Sequence, residues 1–229
     1  MTIFRLPEEL LFPDPSLSED DGLLAVGGDL EPGRLLLAYQ QGIFPWYSEG
    51  DPILWWSPNP RLLIYPCEVH VSRSMRRFLA QGKFQVTFDQ DFPAVIRACA
   101  DTPREGQPGT WIIPAMTEAY QRLHELGFAH SVEVWDGDTL AGGLYGVSLG
   151  GAFFGESMFS HQTNGSKTAL ISLCQQLDRW GFSMLDCQMP TSHLLSLGGV
   201  EVPKELFLTQ LSQAMSTATR QGGWVYGGD

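Results

Sequence analysis

The sequence predicts an α+β fold in which a small, irregular N-terminal domain precedes a larger domain of alternating strands and helices. Three observations lead to this prediction. Only 17% of the residues are charged and 43% are hydrophobic, which is typical of a globular protein with a buried core. Pro and Gly turn formers crowd residues 1–60, whereas regular helical and strand periodicities begin near Phe84. We therefore expect two domains, over residues 1–60 and 61–229.

The N-terminal domain is predicted to contain one short helix and a cluster of aromatic residues. The segment from Arg34 to Gln41 has the composition of a helix, and Gly42 suits the position after its last turn. Two aromatic segments follow, at 43–47 and 53–56, and together they hold three Trp residues and one Tyr. We expect Trp55 and Trp56 to seal the boundary between the two domains.

The larger domain is predicted to contain a strand, two helices, three strands, a long helix, a strand and a final helix. Period-2 alternation indicates the strands, and apolar residues three and four positions apart indicate the helices. Asp91 and Ser166 suit the N-cap positions of two of these helices. The predicted elements are a strand at 84–88, helices at 92–99 and 116–126, strands at 132–135, 140–149 and 152–158, a helix at 166–180, a strand at 184–186 and a helix at 203–215.

This order of elements is similar to that of the GNAT acyltransferase fold. In such a fold two neighbouring strands splay apart, so that an acyl donor can lie between them. The splayed pair would here be the strand that ends near Glu156 and the strand that ends near Asp186. The similarity is one of topology, and a fold alone does not assign a reaction.

Two carboxylates and one amide are the first candidates for a reactive site. Glu156 and Asp186 each stand at the polar end of an apolar, strand-like run. Because a charge is costly to bury without a partner, such a carboxylate holds a cation, orients another polar group or moves a proton. The alternative is that both lie at solvated strand ends. Gln188 follows Asp186 by two residues, so strand alternation would place both side chains on one face.

Composition and residue spacing exclude several classes of function. The formal net charge of −12 repels a polyanion at long range, which excludes a protein that coats DNA regardless of sequence. Four cysteines without a Cys-x-x-Cys pair and five histidines without an i, i+4 pair predict reduced thiols and no metal site. Residues 1–9 lack a basic start, and no apolar run reaches the roughly 18–20 residues of a membrane span. We therefore expect a cytoplasmic protein with no membrane partner.

Basic residues are nevertheless gathered in one segment. Arg73, Arg76, Arg77 and Lys83 are four of the fourteen Lys and Arg residues, and Ser72 suits the N-cap of a helix that carries them. Their spacing of three and four residues allows most of the charges to share a helical face. The segment is therefore a candidate for phosphate contacts, with an ordinary solvated helix face as the alternative.

The sequence of the loop at 162–167 indicates whether coenzyme A could be the acyl donor. Enzymes that bind this donor usually carry a Gln/Arg-x-x-Gly-x-Gly/Ala loop, whose backbone N–H groups cradle pyrophosphate. The chain has Gln162 and Gly165, but Lys167 replaces the final small residue and crowds the approach of the backbone. A coenzyme A-dependent N-acetyltransferase is weakened by this departure and stays as an alternative.

Six motifs in one order closely resemble the leucyl/phenylalanyl-tRNA–protein transferase family. The resemblance extends from about Leu6 to Met215, and motifs of this length are specific. It implies an enzyme that moves Leu or Phe, and less readily Met, from aminoacyl-tRNA onto a protein that begins with Arg or Lys, for degradation in the N-degron pathway. It also implies no cofactor, and we expect a monomer. The motifs lie at 27–30, 42–46, 54–58, 109–112, 155–160 and 186–188.

The resemblance also implies roles for individual residues. Asp186 and Gln188 would orient the attacking amine, and Glu156 would contact the cationic acceptor or the bound donor. Trp46 and Trp111 would stack the 3′-terminal adenosine. An aminoacyl ester is already activated, so direct attack by a free amine needs alignment and no covalent intermediate.

The remaining family positions concern the donor side chain and the tRNA. The tRNA-contacting basic positions fall on Arg73 and Arg77, the third falls on Ala80, and Lys83 would compensate for it. A module that binds aminoacyl-tRNA without catalysis is a further alternative. The donor pocket would be formed by Leu144, Phe153, Met158, Leu170, Leu173 and Leu185.

Overall fold

The computed structural model describes residues 3–103 and 110–228, in which two β-sheets are combined with seven α-helices. The strands are β1 (Phe4–Arg5), β2 (Leu23–Val26), β3 (Phe44–Pro45), β4 (Leu54–Trp56), β5 (Arg61–Ile64), β6 (Gln85–Phe88), β7 (Ala129–Asp136), β8 (Thr139–Leu149), β9 (Ala152–Ser160), β10 (Met184–Gln188) and β11 (Val200–Val202). The helices are α1 (Pro32–Gln40), α2 (Arg73–Ala80), α3 (Phe92–Asp101), α4 (Pro114–Glu125), α5 (Gly165–Arg179), α6 (Ser192–Ser196) and α7 (Lys204–Ala214). The mixture of helices and strands that the sequence predicts is confirmed.

The smaller sheet is built from the N-terminal segment, in the strand order β1-β2-β4-β3. Trp55 on β4 is fully buried, and its indole N–H donates to the Gly27 carbonyl at 2.8 Å. Trp55 and Phe154 of the larger sheet belong to one continuous buried cluster. The N-terminal segment therefore packs directly against the rest of the chain, with Trp55 inside the contact, as its sequence position suggests.

A buried arginine ties the N-terminal segment together. Arg34 on α1 is fully buried, and its Nε–H donates to the Asp29 carboxylate at 3.0 Å. Its terminal nitrogens donate to the backbone carbonyls of Pro7, Glu8 and Glu9. Because a guanidinium offers five donors, one side chain can hold a stretch that has little regular structure of its own.

The larger sheet has seven strands in the order β11-β5-β10-β9-β8-β7-β6. Neighbouring strands are antiparallel except β9 and β10, which are joined by the crossover helix α5 and run parallel. Their pairing covers only Met184–Asp186 against Ala152–Phe154, although β9 continues along β8 to Ser160. The second half of β9 therefore lies beyond its paired contact with β10.

Two β-bulges interrupt these strands where the polar residues lie. On β9, Tyr145 pairs with Ser157 and Gly146 pairs with Gly155, so Glu156 is the extra residue of a bulge. On β10, a register shift between Asp186 and Gln188 leaves Cys187 as the extra residue opposite β5. The uninterrupted alternation that would place the side chains of Asp186 and Gln188 on one face is therefore wrong.

Most predicted helices begin and end as expected. Asp91 caps α3 by accepting the Ala94 N–H at 3.0 Å, and Ser72 caps α2 by accepting the Met75 N–H at 3.2 Å. Gly127 and Gly181 follow α4 and α5 with φ of 78° and 75°, in the left-handed region that glycine adopts readily.

The N-cap of α5 is not the predicted Ser166. The N-cap is Asn164, at φ 72°, and Ser166 already lies in the first helical turn. A Cβ on Gly165 would meet the Ala141 carbonyl oxygen at 2.3 Å, so the close approach of this helix to β8 requires glycine. The N-cap therefore lies two residues earlier than predicted.

Two strands and one helix of the larger domain, β5, β11 and α6, were not predicted, and neither were the four strands of the smaller sheet. β5 lies between β10 and β11 inside the larger sheet, and α6 follows β10 directly. β5 begins with Arg61, a residue type that usually marks the surface but is fully buried here. In the part of the chain that the structure describes, no helix is long and apolar enough to span a membrane.

Candidate active site

A pocket of about 340 Å³ opens where β9 and β10 cease to pair. Its wall comes from β3, β8, β9, α5 and β10, and from the segment that follows β10. The sequence-predicted residues that line it are Trp46, Trp111, Leu144, Glu156, Met158, Leu170, Leu173, Leu185 and Gln188. Residues from six separate parts of the chain therefore meet in one cavity.

The apolar wall contains five of the six predicted pocket residues. Leu170 and Leu173 face the cavity from α5, and Met158 comes from β9. Phe153 is fully buried in the same apolar cluster but does not line the cavity. Met is flexible and polarizable, so this wall can adapt to more than one apolar side chain.

Two tryptophans stand on the pocket wall outside this apolar patch. Trp46 is held from behind by Trp56, whose indole N–H donates to the Trp46 carbonyl at 2.7 Å, with the two rings 5.5 Å apart. Trp111 belongs to a predicted motif whose first residue, Gly109, lies outside the described residues. The pocket therefore combines an apolar wall with two aromatic ring systems.

Asp186 is fully buried in an ion pair with Arg61. The Arg61 Nε–H and Nη2–H donate to the two carboxylate oxygens at 2.9 and 2.7 Å. The guanidinium carbon lies 4.9 and 4.6 Å from the ring centroids of Phe44 and Phe207. A bidentate pair whose guanidinium also contacts two aromatic rings fixes the carboxylate in position.

Gln188 joins the two carboxylates. Its backbone N–H donates to Asp186 Oδ1 at 2.9 Å, and its side-chain Nε2–H donates to Glu156 Oε1 at 2.8 Å. Its φ of 64° is uncommon for a residue other than glycine and is often found at functional sites. Asp186 therefore holds Gln188 through the backbone, whereas Glu156 holds the amide and leaves its oxygen as the acceptor end.

Glu156 is surrounded by neutral donors. The Tyr39 hydroxyl donates to Oε1 and the Tyr120 hydroxyl donates to Oε2, both at 2.8 Å. The two hydroxyl groups also form a hydrogen bond with each other. Burial raises the pKa of Glu156 to about 7, against the three hydrogen bonds, which lower it. A carboxyl group with this pKa can exchange a proton near neutral pH.

The thiol inside the pocket is not activated. Cys187 lines the cavity, but burial raises its pKa well above the ordinary value, and the charge of Asp186 adds to this effect. Because the thiolate is the nucleophilic form, Cys187 is a poor nucleophile. Cys187 therefore does not supply the pocket with an activated thiol.

The basic helix lies as predicted, except at one position. Arg73, Arg76 and Arg77 are exposed on α2. The helix ends at Ala80, so Lys83 lies beyond its last turn and does not extend the helical face. Lys83 pairs instead with Asp136 at 3.4 Å and donates to the Gln162 side chain at 3.0 Å.

The loop before α5 uses its own backbone N–H groups. The Gly165 N–H donates to the Gln162 carbonyl at 2.9 Å, and the Ser166 N–H donates to Ser160 Oγ at 3.2 Å. These amides would otherwise be the donors for an anionic group at the helix N-terminus.

Three residues of the site were not predicted: Tyr39, Tyr120 and Arg61. Tyr120 lies on the apolar face of a predicted helix, where a buried hydroxyl needs a hydrogen-bond partner. The sequence therefore indicates that the Tyr120 hydroxyl needs a hydrogen-bond partner, but it does not indicate which residue that partner is. The buried Arg61 pairs with Asp186 and not with Glu156.

Comparison with known proteins agrees with the motifs. The chain matches the family model described as leucyl/phenylalanyl-tRNA protein transferase over residues 63–212, and the model of the N-terminal domain of that family over residues 28–59. It also bears a weak likeness to the structure of L-PGS from Bacillus licheniformis, with 13% identity and a TM-score of 0.42 over 74% of this chain and 54% of the other.

Relatives carry the same family name over their whole length. A transferase from Anaeromyxobacter sp. is 56% identical over 98% of this chain and 95% of its own. The transferase from Anaeromyxobacter dehalogenans is 57% identical over 98% and 96%, and that from Desulforapulum autotrophicum is 53% identical over the full length of both. The chain therefore belongs to the leucyl/phenylalanyl-tRNA–protein transferase family of aminoacyltransferases.

Proposed function

We propose that this enzyme transfers Leu or Phe, and less readily Met, from aminoacyl-tRNA to acceptor proteins that begin with Arg or Lys. The new N-terminal residue would mark the acceptor for the N-degron pathway. The observation that carries the proposal is the single pocket in which an apolar wall meets Glu156 and Gln188. Such a pocket can hold an apolar aminoacyl group with its ester beside polar groups.

Donor selection follows from the shape and chemistry of the apolar wall. Leu144, Met158, Leu170, Leu173 and Leu185 can surround an unbranched-at-Cβ side chain such as that of Leu, Phe or Met. A side chain that is branched at Cβ carries an extra group next to the ester, and the wall would exclude it by shape. Phe153 supports this wall from the core behind it.

The aminoacyl adenosine would be held by aromatic stacking. Trp46 and Trp111 both line the pocket, so the 3′-terminal adenosine can stack there while its ester reaches the polar end. Stacking of this kind contributes about 1–3 kcal/mol per base. Trp56 supports the position of Trp46 by its hydrogen bond and ring contact.

The attacking amine would be oriented by Gln188. The amide nitrogen donates to Glu156, so the amide oxygen can accept a hydrogen bond from the amine. Asp186 fixes the backbone of Gln188 and is itself fixed by Arg61. We assign Asp186 and Gln188 to positioning, and Glu156 to contact with the amine rather than with the acceptor's cationic side chain.

Recognition of tRNA outside the pocket would use phosphate contacts. Arg73 and Arg77 are exposed on α2 and can meet the phosphates of an A-form stem, whose bases side chains read poorly. Lys83 would assist from the following turn, although Asp136 offsets part of its charge. This patch lets a protein of net charge −12 hold a polyanion.

The proposed domain boundary follows the division of the chain into two sheets. The N-terminal family domain at 28–59 and the smaller sheet support a domain at 1–60, with a GNAT-like catalytic domain at 61–229. The end of pairing between β9 and β10, where the pocket opens, supports the GNAT-like part of this proposal. We further propose that the enzyme acts as a cytoplasmic monomer.

One transfer assay tests the function. The protein is mixed with radiolabelled Phe-tRNA and an Arg-starting peptide, beside an Ala-starting peptide and acetyl coenzyme A as controls. We expect labelled Arg-starting peptide, and Gln188→Ala should reduce its rate at least tenfold, about 1.4 kcal/mol in barrier. Label that stays on tRNA would indicate a binding module, and acetylation would indicate the coenzyme A alternative; either result contradicts the proposal.

A second arm of this assay separates the tRNA patch from the pocket. Arg73→Ala with Arg77→Ala should weaken binding of whole aminoacyl-tRNA and flatten its salt dependence. The same change should barely affect an aminoacyl-adenosine, which Trp46→Ala or Trp111→Ala should disrupt. Arg76→Ala, on the same exposed helix, is the matched control and should have the smaller effect. Equal responses of both substrates to the arginine changes would contradict the assignment.

A further inference from the structure

A closed ring of hydrogen bonds surrounds the carboxyl group of Glu156. Tyr39 contacts Oε1 at 2.8 Å, Tyr120 contacts Oε2 at 2.8 Å, and the two phenol oxygens contact each other. The ring therefore contains three oxygen–oxygen contacts. It brings together α1, α4 and β9, which lie far apart in the sequence.

The number of hydrogens decides the charge of this ring. Each phenol carries one hydrogen, so the two phenols supply two hydrogens for three contacts. The third hydrogen must come from the carboxyl group. Because the Gln188 Nε2–H already donates to Oε1, the carboxyl hydrogen belongs on Oε2, pointing to Tyr120. When Glu156 is ionised, both phenols donate to it and the contact between Tyr39 and Tyr120 holds no hydrogen.

The surroundings of the ring bring its closed, protonated form and its ionised form, which can accept a proton, to comparable populations near pH 7. Burial raises the pKa of Glu156, and the negative charge of Asp186 on the neighbouring strand adds to this. Burial and the charge of Glu156 raise the pKa values of both phenols well above the ordinary value, so they stay protonated. Tyr145 on β8 packs against Tyr120, with ring centroids 5.5 Å apart.

We propose that the ring of Glu156, Tyr39 and Tyr120 takes up the proton that the acceptor's ammonium group loses before it attacks the ester. This inference rests on the proposed function, because it assigns a role within the same transfer. Glu156 is the proton acceptor, and Tyr39 and Tyr120 are positioning residues that act through it. An α-amino group has an ordinary pKa of about 8, so transfer to an acid of similar strength is nearly balanced.

The step conserves atoms and charge. One N–H bond of the ammonium breaks, its electron pair stays on nitrogen, and an O–H bond forms at Glu156 Oε2, directly or through one water. The neutral amine then attacks the ester carbonyl, so that a C–N bond forms and the bond to the ribose oxygen breaks. A second proton of the amine ends on that ribose oxygen, and Glu156 later returns its proton to solvent.

The protonation of Glu156 can be measured in the free protein by infrared difference spectroscopy. The band of a protonated carboxyl group should titrate in the wild type and vanish in Glu156→Gln. Tyr39→Phe removes one hydrogen bond from the ionised form, the bond from Tyr39 to Oε1, and two from the acid form, because Tyr39 there also accepts the hydrogen of Tyr120. The titration should therefore move to lower pH. Tyr145→Phe, which removes a nearby phenol outside the ring, is the control and should leave it unchanged.

The direction of this change is decisive. If the phenols were simple donors to a carboxylate, removing Tyr39 would raise the pKa of Glu156 instead. A rise, or no change, in Tyr39→Phe overturns the ring, as does the absence of a Glu156 acid band at about pH 6. This titration needs no substrate, so it stands even if the transferase assay fails.

The role in proton uptake is tested with two acceptors. One is an Arg-starting peptide, and the other is the same peptide with a weakly basic aminooxy group in place of the α-amine, which is neutral near pH 7. At pH 7 about a tenth of the α-amino groups are already neutral in solution, so Glu156→Gln should slow transfer to the amine roughly tenfold but transfer to the aminooxy peptide less than about threefold. Equal losses would show a structural role and overturn the proposal. If the wild type transfers to neither peptide, the proposed function fails instead.

Discussion

Glu156 and Asp186 lie at comparable places on two neighbouring parallel strands, Glu156 in a bulge and Asp186 next to one, yet their surroundings differ. Asp186 is fully buried against the guanidinium of Arg61. Glu156 is partly buried, and the donors that the structure describes for it are two phenols and an amide. The same residue class at the same kind of strand position thus forms an ion pair in one case and accepts hydrogen bonds from neutral donors in the other.

The difference shows that the partner, not the carboxylate, determines the chemistry. A cation beside a carboxylate stabilises its charged form, so Asp186 is suited to holding a fixed geometry. Neutral donors in a buried place stabilise the charged form less than water does, which leaves Glu156 close to the point of protonation. Gln188 donates a hydrogen bond to each carboxylate, so the fixed position of Asp186 also fixes the amide that contacts Glu156.

The largest effect should come from removing the partner of Asp186. Arg61→Met keeps the volume of the side chain but leaves the buried carboxylate without its cation, which should lower the free energy of unfolding by about 3–5 kcal/mol. Urea denaturation followed by circular dichroism measures this change. The double variant Arg61→Met with Asp186→Asn removes both charges and should recover part of the loss. A single-variant loss below about 1 kcal/mol would show that the ion pair does not matter for stability.

A smaller effect, with a distinct pH signature, is expected for Glu156. The folded pKa of about 7 exceeds the ordinary value of 4.5, so between these values the folded protein holds a proton that the unfolded chain has lost. Stability from this group is therefore present below pH 4.5 and is lost as the pH rises through 7. Relative to Glu156→Gln, which has no such titration, the wild type should lose on the order of 3 kcal/mol across this window.

Urea denaturation of both proteins at a series of pH values measures this difference. Subtracting the two curves removes the titration of all other groups. A difference curve that is flat, or that rises with pH, would contradict the raised pKa of Glu156 and with it the contrast between the two carboxylates.

The smallest effect is expected at the residue that links them. Gln188→Asn keeps a side chain that tolerates left-handed backbone, but it is too short to reach Glu156. Losing this donor should raise the pKa of Glu156 by less than about one unit, and change the free energy of unfolding by less than about 1 kcal/mol. The infrared titration of Glu156 measures the shift. A fall in the pKa would show that Gln188 does not stabilise the ionised form.

The sequence alone determined most helices and the central strands. The period of apolar residues placed α3, α4, α5 and the three strands β7 to β9, and local capping groups such as Asp91 and Ser72 marked helix beginnings. These features depend on residues within one or two turns of each other, which is why a single sequence reveals them. The motifs at 155–160 and 186–188 likewise identified Glu156 and Gln188 as site residues.

Only the tertiary structure decided what these residues contact. Tyr39 lies 117 residues from Glu156, and Arg61 lies 125 residues from Asp186, so no local pattern joins them. The bulges at Glu156 and Cys187 break strand alternation, and Lys83 falls beyond the helix on which it was placed. Hydrogen bonding and charge pairing act through space at about 3 Å, whereas periodicity describes only neighbours along the chain. The sequence therefore named the two carboxylates, and the fold made one an ion pair and the other an acid.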